Sequence, residues 1–364
     1  MQIIVNATAL ASSGGLSILK QFIDEIPEDG FEYILFINDE ISLTENYNNI
    51  KLIPKDVKSL WKRVYWDIFG AKKWLKEEKI YPSATISLQN TNFRTYKKIP
   101  NFIYFHNSIP FCDNKWNPFK TSERTLWFYK NIYPFFIKLF IFKNTEIFVQ
   151  TKVIKSEFSK YFNIPQSRIH VISPVIELPN LSNTVNVDLD SSRYNIFYPA
   201  TPFIHKNHST IIDALSLLDK EIQKKIMLHL TCTKQEMKHL INNKNTDYTI
   251  NYLGQIPFNK VLGMYKNADM MLFPSFIETL GLPLLEAAFF GLPIIAADLP
   301  YSHEILSNYE GVTYVDYNDP KLWSEEISKK LLDKGKRFQS INIEQSDSWN
   351  ELFQIVKNKI QNKE

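Results

Sequence analysis

Two carboxylates, Glu278 and Glu286, stand in one short run, PSFIETLGLPLLEAAFFGLPIIAADLP at residues 274–300, with seven residues between them. A carboxylate accepts hydrogen bonds from hydroxyls, so two acids at the two ends of one loop can hold two hydroxylated groups at once. Between them lie Thr279, Leu280, Gly281 and Leu282, whose backbone N–H groups would sit at the start of the following helix. Free N–H groups and the positive end of a helix dipole favour an anion there. Glu286 also reads as an ordinary helix acid and Glu278 as an exposed loop acid, and the pair alone leaves both readings open.

The elements that would position these residues follow from the flanks. Asp269–Phe273 and Ile294–Ala297 are apolar runs of strand length. Pro283 suits a first helical position, Gly291 the left-handed residue past a last turn, and Pro293 stops continuation, so the pattern predicts a helix over 283–290. In a parallel sheet the loop Pro274–Leu282 then lies beyond the carboxyl end of its strand, where open α/β sheets bind ligands. An anionic centre between two polyols describes a nucleotide sugar, with its diphosphate flanked by ribose and sugar.

Other residues at strand ends are candidates for the same chemistry. His106 closes the apolar strand in NFIYFHNSIPF, residues 101–111; a histidine satisfied by nearby backbone is the plain alternative. His205 and Lys206 precede a helical stripe of Ile211, Ile212, Leu215 and Leu218. A lysine at that junction can neutralise a departing diphosphate, although an exposed surface lysine is equally ordinary. A strand Ile3–Thr8 leads into Ser12, Ser13, Gly14 and Gly15 and then a helix from about Leu16 to Ile26. Paired glycines let a backbone approach a ligand, but this is no G-x-G-x-x-G fingerprint. Gly254–Pro257 forms a further loop, with Ile256 available to pack on a flat ring.

Charge is unevenly spread. The net +3 divides into +14 between Lys51 and Arg168 and −11 over the rest. Within the basic part, KSLWKRVYWDIFGAKKWLKEEK at 58–79 reads as an amphipathic helix, with Trp61, Val64, Tyr65, Ile68 and Leu75 on one side. Lys58, Lys62, Lys73 and Lys76 fall largely on the other. It is either a core helix with a solvated face or a surface for anionic headgroups, on which Trp61, Lys62, Arg63 and Trp66 would make contact. No nucleic-acid motif accompanies the charge, so nucleic acid is not expected as a partner. The cysteines, Cys112 and Cys232, lie far apart, which argues against a disulfide framework or zinc site and fits a reducing, cytoplasmic setting. MQIIVNATAL reads as a first strand, not a signal peptide, and Ile132–Phe142 is too short to span a bilayer.

At Pro274, Ser275, Glu278, Gly281, Glu286, Ala287, Gly291 and Pro293 the chain resembles the signature of the retaining glycosyltransferases of family 4. That resemblance implies the α/β GT-B fold, two facing Rossmann-like domains with parallel sheets and an interdomain cleft. It implies that Glu278 lies by the donor sugar, Glu286 binds the ribose, and Thr279 to Leu282 meet the diphosphate. It further implies that Gly14 and Gly15 face donor phosphate and acceptor, that His106 sits by the reacting sugar, and that Ile256 meets the base. Where the family carries Gly-Arg this chain has Pro199, Ala200 and Thr201, which leaves His205 and Lys206 to carry the charge. The expected activity is transfer of a sugar from a UDP- or GDP-linked donor to a glycan or lipid-linked acceptor in bacterial surface polysaccharide synthesis, with no metal or other cofactor, at the cytoplasmic face of the inner membrane. An epimerase of the same fold, or a non-catalytic nucleotide-binding subunit, is the alternative. The resemblance implies an acceptor-binding domain at 1–173 and a nucleotide-sugar-binding domain at 194–340, joined by a linker at 174–193, with a C-terminal helix at 341–364 crossing back to the first.

Overall fold

In the computed structural model, residues 1–362 are described except 12, 42–47, 58, 97, 177–183, 242–245 and 343–347. Ser12, Lys58 and the middle of the expected linker therefore lie outside the described residues. The chain forms two units, Met1–Val175 with Gln345–Glu364, and Ile176–Glu344.

Among the described residues the first unit is built on a sheet of strands β1 (Gln2–Asn6), β2 (Glu32–Asn38), β3 (Ile50–Lys55), β4 (Ala84–Ser87), β5 (Asn101–Phe105), β6 (Thr145–Val149) and β7 (Ile169–Val171). Their order is β3-β2-β1-β4-β5-β6-β7, and every pairing is parallel. The strands are apolar runs rather than alternating ones because helices cover both faces. The order reverses direction between β1 and β4, so the loops after these two strands diverge and leave a crevice.

The helix after β1 spans Ser13–Asp24, so Gly14 and Gly15 lie in its first turn and not in a loop before it. Neither glycine has a left-handed backbone, and a side chain at Gly14 would meet open space. The last helix, Ser348–Gln361, belongs to this unit. It buries Trp349, Leu352, Phe353, Val356 and Ile360, one face at helical spacing, in the core around Phe22 and Tyr33. Trp349 stacks on Tyr104 with 5.2 Å between ring centroids, and Lys359 Nζ reaches Glu146 Oε1 at 2.5 Å. Side chains of this size contribute about 1.5–3 kcal/mol each on burial, enough to anchor the helix.

The basic segment departs from expectation. It is not one regular helix but Leu60–Tyr65, a π-helical turn Trp66–Gly70, and Ala71–Glu77. The extra residue in a π turn rotates the faces out of phase. Of the expected stripe only Leu75 reaches the core, beside Ala71, whereas Trp61 is 78% and Tyr65 61% exposed. Trp66, expected on the surface, turns inward edge-on to Phe36 at 4.9 Å.

The second unit carries β8 (Tyr194–Tyr198), β9 (Ile226–Leu230), β10 (Thr249–Tyr252), β11 (Met270–Phe273), β12 (Ile294–Ala297) and β13 (Val312–Val315). Their order is β10-β9-β8-β11-β12-β13, again parallel throughout, with the reversal between β8 and β11. Part of the expected linker is packed here: Val187 and Leu189 lie on this core, and the Val185 carbonyl sits where a side chain at Gly263 would be, 2.2 Å from its position. Both sheets, with their helices, are Rossmann-like.

Candidate functional site

The reversal in the second sheet places two loops side by side, one after β8 and one after β11. Backbone contacts join them: Phe276 N and Ser275 Oγ both donate to the His205 carbonyl, at 2.9 and 3.2 Å. Tyr301 Oη donates to the Ser275 carbonyl at 2.6 Å, and Tyr198 Oη to that of Lys206 at 2.6 Å. Asn207, at φ +56°, donates from Nδ2 to the Tyr317 carbonyl at 2.9 Å and turns the chain into the helix His208–Leu217. The side chains these loops carry are thus held from several sides.

What they carry is an ion pair. Lys206 Nζ lies 2.5 Å from Glu278 Oε1, with the two side chains only 20% and 12% exposed. A pair so enclosed has lost most of its hydration, and removing one partner leaves the other uncompensated. His205 stacks on Phe203, and its Nδ1 is buried without a hydrogen-bond partner. Burial, reinforced by the Lys206 charge, pushes its pKa down to about 4, so the ring is neutral at pH 7. Burial takes His208 down to about 4 as well. Of these three basic side chains, Lys206 is the one paired with an acid.

The helix after β11 spans Leu282–Phe289, one residue earlier than the pattern predicts, because Gly281 takes φ +67° and lets the turn begin at once. Gly291, at φ +66°, ends it; a side chain there would stand 2.3 Å from the Phe338 carbonyl oxygen. Glu286 is consequently the fifth helical residue, in the second turn and not the first. Its Oε2 accepts from Tyr265 Oη at 2.9 Å, while burial raises its pKa and Tyr265 opposes that rise. Leu280 is buried and Leu282 is 40% exposed, so the loop rests on the core through one side chain and opens at the next. Ile256, beyond the left-handed Gly254, is half-buried against the same core.

The remaining candidates belong to the first unit. His106 donates its backbone N–H to Asn90 Oδ1 at 2.6 Å, and its Nε2 is 3.1 Å from the Leu88 carbonyl. A carbonyl only accepts, so that nitrogen bears the proton; burial lowers the ring's pKa and keeps it neutral. Lys62 pairs with Asp56 at 2.5 Å, and Arg63 turns toward a cavity beside Asp67. Sequence reading missed Asp67, Gln89, Tyr265 and Tyr301, none of which stands in a recognisable spacing. A lone acid inside a basic, aromatic segment was the available signal for Asp67.

The strand-end cation and the loop acid it pairs with thus stand at a topological switch point ahead of a helix, where open α/β sheets bind ligands. Comparison points the same way. Residues 185–346, most of the second unit, match the family described as "Glycosyl transferases group 1". The chain is 24% identical over 212 residues to the "O-antigen chain mannosyltransferase RfbU" of Salmonella typhimurium, covering 57% of this chain and 58% of that protein. It spans about half the length of the curated relatives it matches. Its fold is similar to that of WaaG, "a glycosyltransferase involved in lipopolysaccharide biosynthesis", with TM-score 0.62 at 14% identity over 100% of this chain and 94% of that one. It is also similar to the UDP-GlcNAc 2-epimerase of Methanocaldococcus jannaschii, with TM-score 0.54 at 14% identity over 98% and 99%. The architecture is therefore GT-B-like.

Proposed function

We propose that the protein is a retaining glycosyltransferase that moves a sugar from a nucleoside diphosphate to a hydroxyl of a glycan or lipid-linked oligosaccharide in surface polysaccharide synthesis. The observation that carries this is the enclosed Lys206–Glu278 pair at the β8/β11 reversal. Within this pair each charge is silenced by the other. A diphosphate seated on the amides of Thr279 to Leu282 offers Lys206 a better anion, and Glu278 is freed to accept from a donor hydroxyl. Glu286, steadied by Tyr265, accepts from the ribose.

In the reaction the acceptor oxygen bonds to the anomeric carbon as the bond from that carbon to the diphosphate breaks. The acceptor's proton passes to the departing phosphate oxygen, and Lys206 offsets the charge that develops there. Entry of the acceptor on the face the diphosphate leaves preserves configuration. Neutral His106, whose Nε2–H goes to the Leu88 carbonyl, can accept a hydrogen bond from a sugar hydroxyl at Nδ1 and is not assigned as a base. Positive charge comes from Lys206 and backbone amides, so a chelator should leave the rate unchanged. Exposed Trp61, Tyr65 and Phe69 beside Lys62, Lys73 and Lys76 would rest on an anionic bilayer, and no helix among the described residues is long and apolar enough to cross one.

The epimerase alternative shares the fold, so fold cannot separate the two. Incubation of each nucleotide sugar with and without lipid-linked glycan does: release of nucleoside diphosphate only with acceptor supports transfer. Release without any acceptor refutes it.

A further inference from the structure

The chain crosses between its two units twice, after Val175 and after Glu344, and the parts of both crossings that lie on the second unit are fastened to one pair of helices. One of the pair is Phe258–Asn267, which ends just before β11, and the other is Leu282–Phe289, which follows that strand. They meet at Tyr265. Its hydroxyl donates to Glu286 Oε2 at 2.9 Å, and its ring stacks on Phe290 with 6.3 Å between centroids. Tyr265 is fully buried, so Glu286 keeps this bond only while the two helices keep their spacing.

The first crossing lies on the helix Phe258–Asn267 at Gly263. Val185 N donates to the Asn259 carbonyl at 3.4 Å, and a side chain at Gly263 would stand 2.2 Å from the Val185 oxygen and 2.7 Å from Val187 Cγ2. A glycine inside a helix weakens it relative to alanine, and here it admits a backbone that no side chain would. Residues two apart lie about 200° apart around a helix, so Gly263 and Tyr265 face nearly opposite ways. The helix is therefore held between the crossing on one side and Glu286 on the other. The second crossing caps both helices. Arg337 Nη2 donates to the carbonyls of Lys266 and Ala268 at 2.8 and 2.6 Å, and the Phe338 and Ile341 N–H groups donate to those of Gly291 and Ala288 at 2.9 and 3.2 Å. Carbonyls at a helix end lack partners within the helix, so these bonds fix where each helix stops. Lys334 Nζ joins the crossings to each other, donating to the carbonyls of Ser191 and Arg193 at 2.5 and 2.7 Å.

We propose that Gly263 and Arg337 are positioning residues for the ribose contact: they seat the two crossings on this helix pair, and that seating sets the angle at which Tyr265 presents Glu286. The inference rests on the reading of Glu286 as the acid that accepts from the ribose. Both residues act through the Tyr265–Glu286 bond and not by touching the nucleotide. A carboxylate held at one oxygen has its plane fixed, and a hydrogen bond to the other oxygen weakens steeply as its angle closes. Displacement of a contact group by about 1 Å can cost roughly 100-fold. A loosened helix pair therefore loses the ribose contact, while the diphosphate keeps Lys206 and the loop amides.

The test is calorimetric titration of the full chain with UDP, GDP and the 2′-deoxy and 3′-deoxy analogues of each. The parent should bind one ribonucleotide about tenfold or more tighter than its weaker deoxy analogue, the loss expected when a hydrogen bond to a carboxylate is missing. In Gly263→Ala and in Arg337→Ala that ratio should fall to about threefold or less with deoxynucleotide affinity unchanged, whereas a general loss of structure would weaken every nucleotide together. Should Gly263→Ala fail to fold, Arg337→Ala decides, because Arg337 is an exposed residue outside the helices. The parental ratio in the folded variants, or an equal drop for ribonucleotide and deoxynucleotide, overturns the inference and leaves the nucleotide site standing. A parent that binds nucleotide without preferring ribose overturns it together with the ribose role of Glu286. A parent that binds no nucleotide overturns the transferase reading beneath both.

Discussion

The two sheet reversals solve one problem in opposite ways. At β8/β11 the loop acid Glu278 is neutralised by Lys206, and the site is charged but self-compensated. At β1/β4 the acid Asp67 is wrapped in neutral amides and faces aromatic rings, and the site is polar but poor in cations. The same crevice geometry therefore carries a compensated ion pair in one unit and an amide-bound acid in the other. Chemistry at a switch point is set by the side chains that arrive there, not by the sheet.

The largest effect should come from breaking the ion pair. Lys206→Ala leaves Glu278 enclosed and unpaired, which costs about 3–5 kcal/mol of stability. Chemical denaturation should show that loss, and Lys206→Met with Glu278→Gln should restore most of it by removing both charges. If the single variant is as stable as the parent, the pair is not compensated as described.

Gly291→Ala comes next. Its backbone at φ +66° and the Phe338 oxygen at 2.3 Å leave no room for a side chain, so a loss of about 1–3 kcal/mol is expected, seen as a lower melting temperature. The helix carrying Glu286 would be the part disturbed, and nucleotide binding should weaken with it.

The smallest effect is also the most specific to the first unit. Burial raises the Asp67 pKa to about 7, against the hydrogen bonds of Asn6 and Gln89 and the charge of Arg63, which lower it. Burial pushes Tyr133, which also faces the cavity, well above the usual phenol range, so it stays neutral here. Between the ordinary carboxylate value and about 7 the folded state binds the extra proton, so stability falls as pH rises through that window. Asp67→Asn removes the penalty: its melting temperature should exceed the parent's at pH 8, and the gap should close toward pH 4. A constant gap across that range would mean that Asp67 is hydrated and ordinary.

Much of the second unit was legible because its signals are local. Pro283, Gly281, Gly291 and Pro293 punctuate one short helix, and a left-handed backbone or a missing N–H acts within a few residues. The acids and the lysine were read from strand ends, but their pairing across 72 residues was not, since only the sheet order brings those loops together. In the first unit, helical periodicity placed Trp61 and Tyr65 with Leu75, and the π turn broke that phase. Asp67 escaped for the same reason: its partners Asn6 and Gln89 come from two other strands' ends. The packing of Val185 against Gly263 was hidden in a stretch with neither periodicity nor breakers.

The measurement that bears most directly on the central claim is calorimetric titration of UDP- and GDP-sugars into the parent protein and into Lys206→Met. With the lysine acting on the diphosphate, one donor class should bind the parent, and the variant should lose about 2 kcal/mol or more of binding free energy, while unmodified affinity in Lys206→Met would contradict the account.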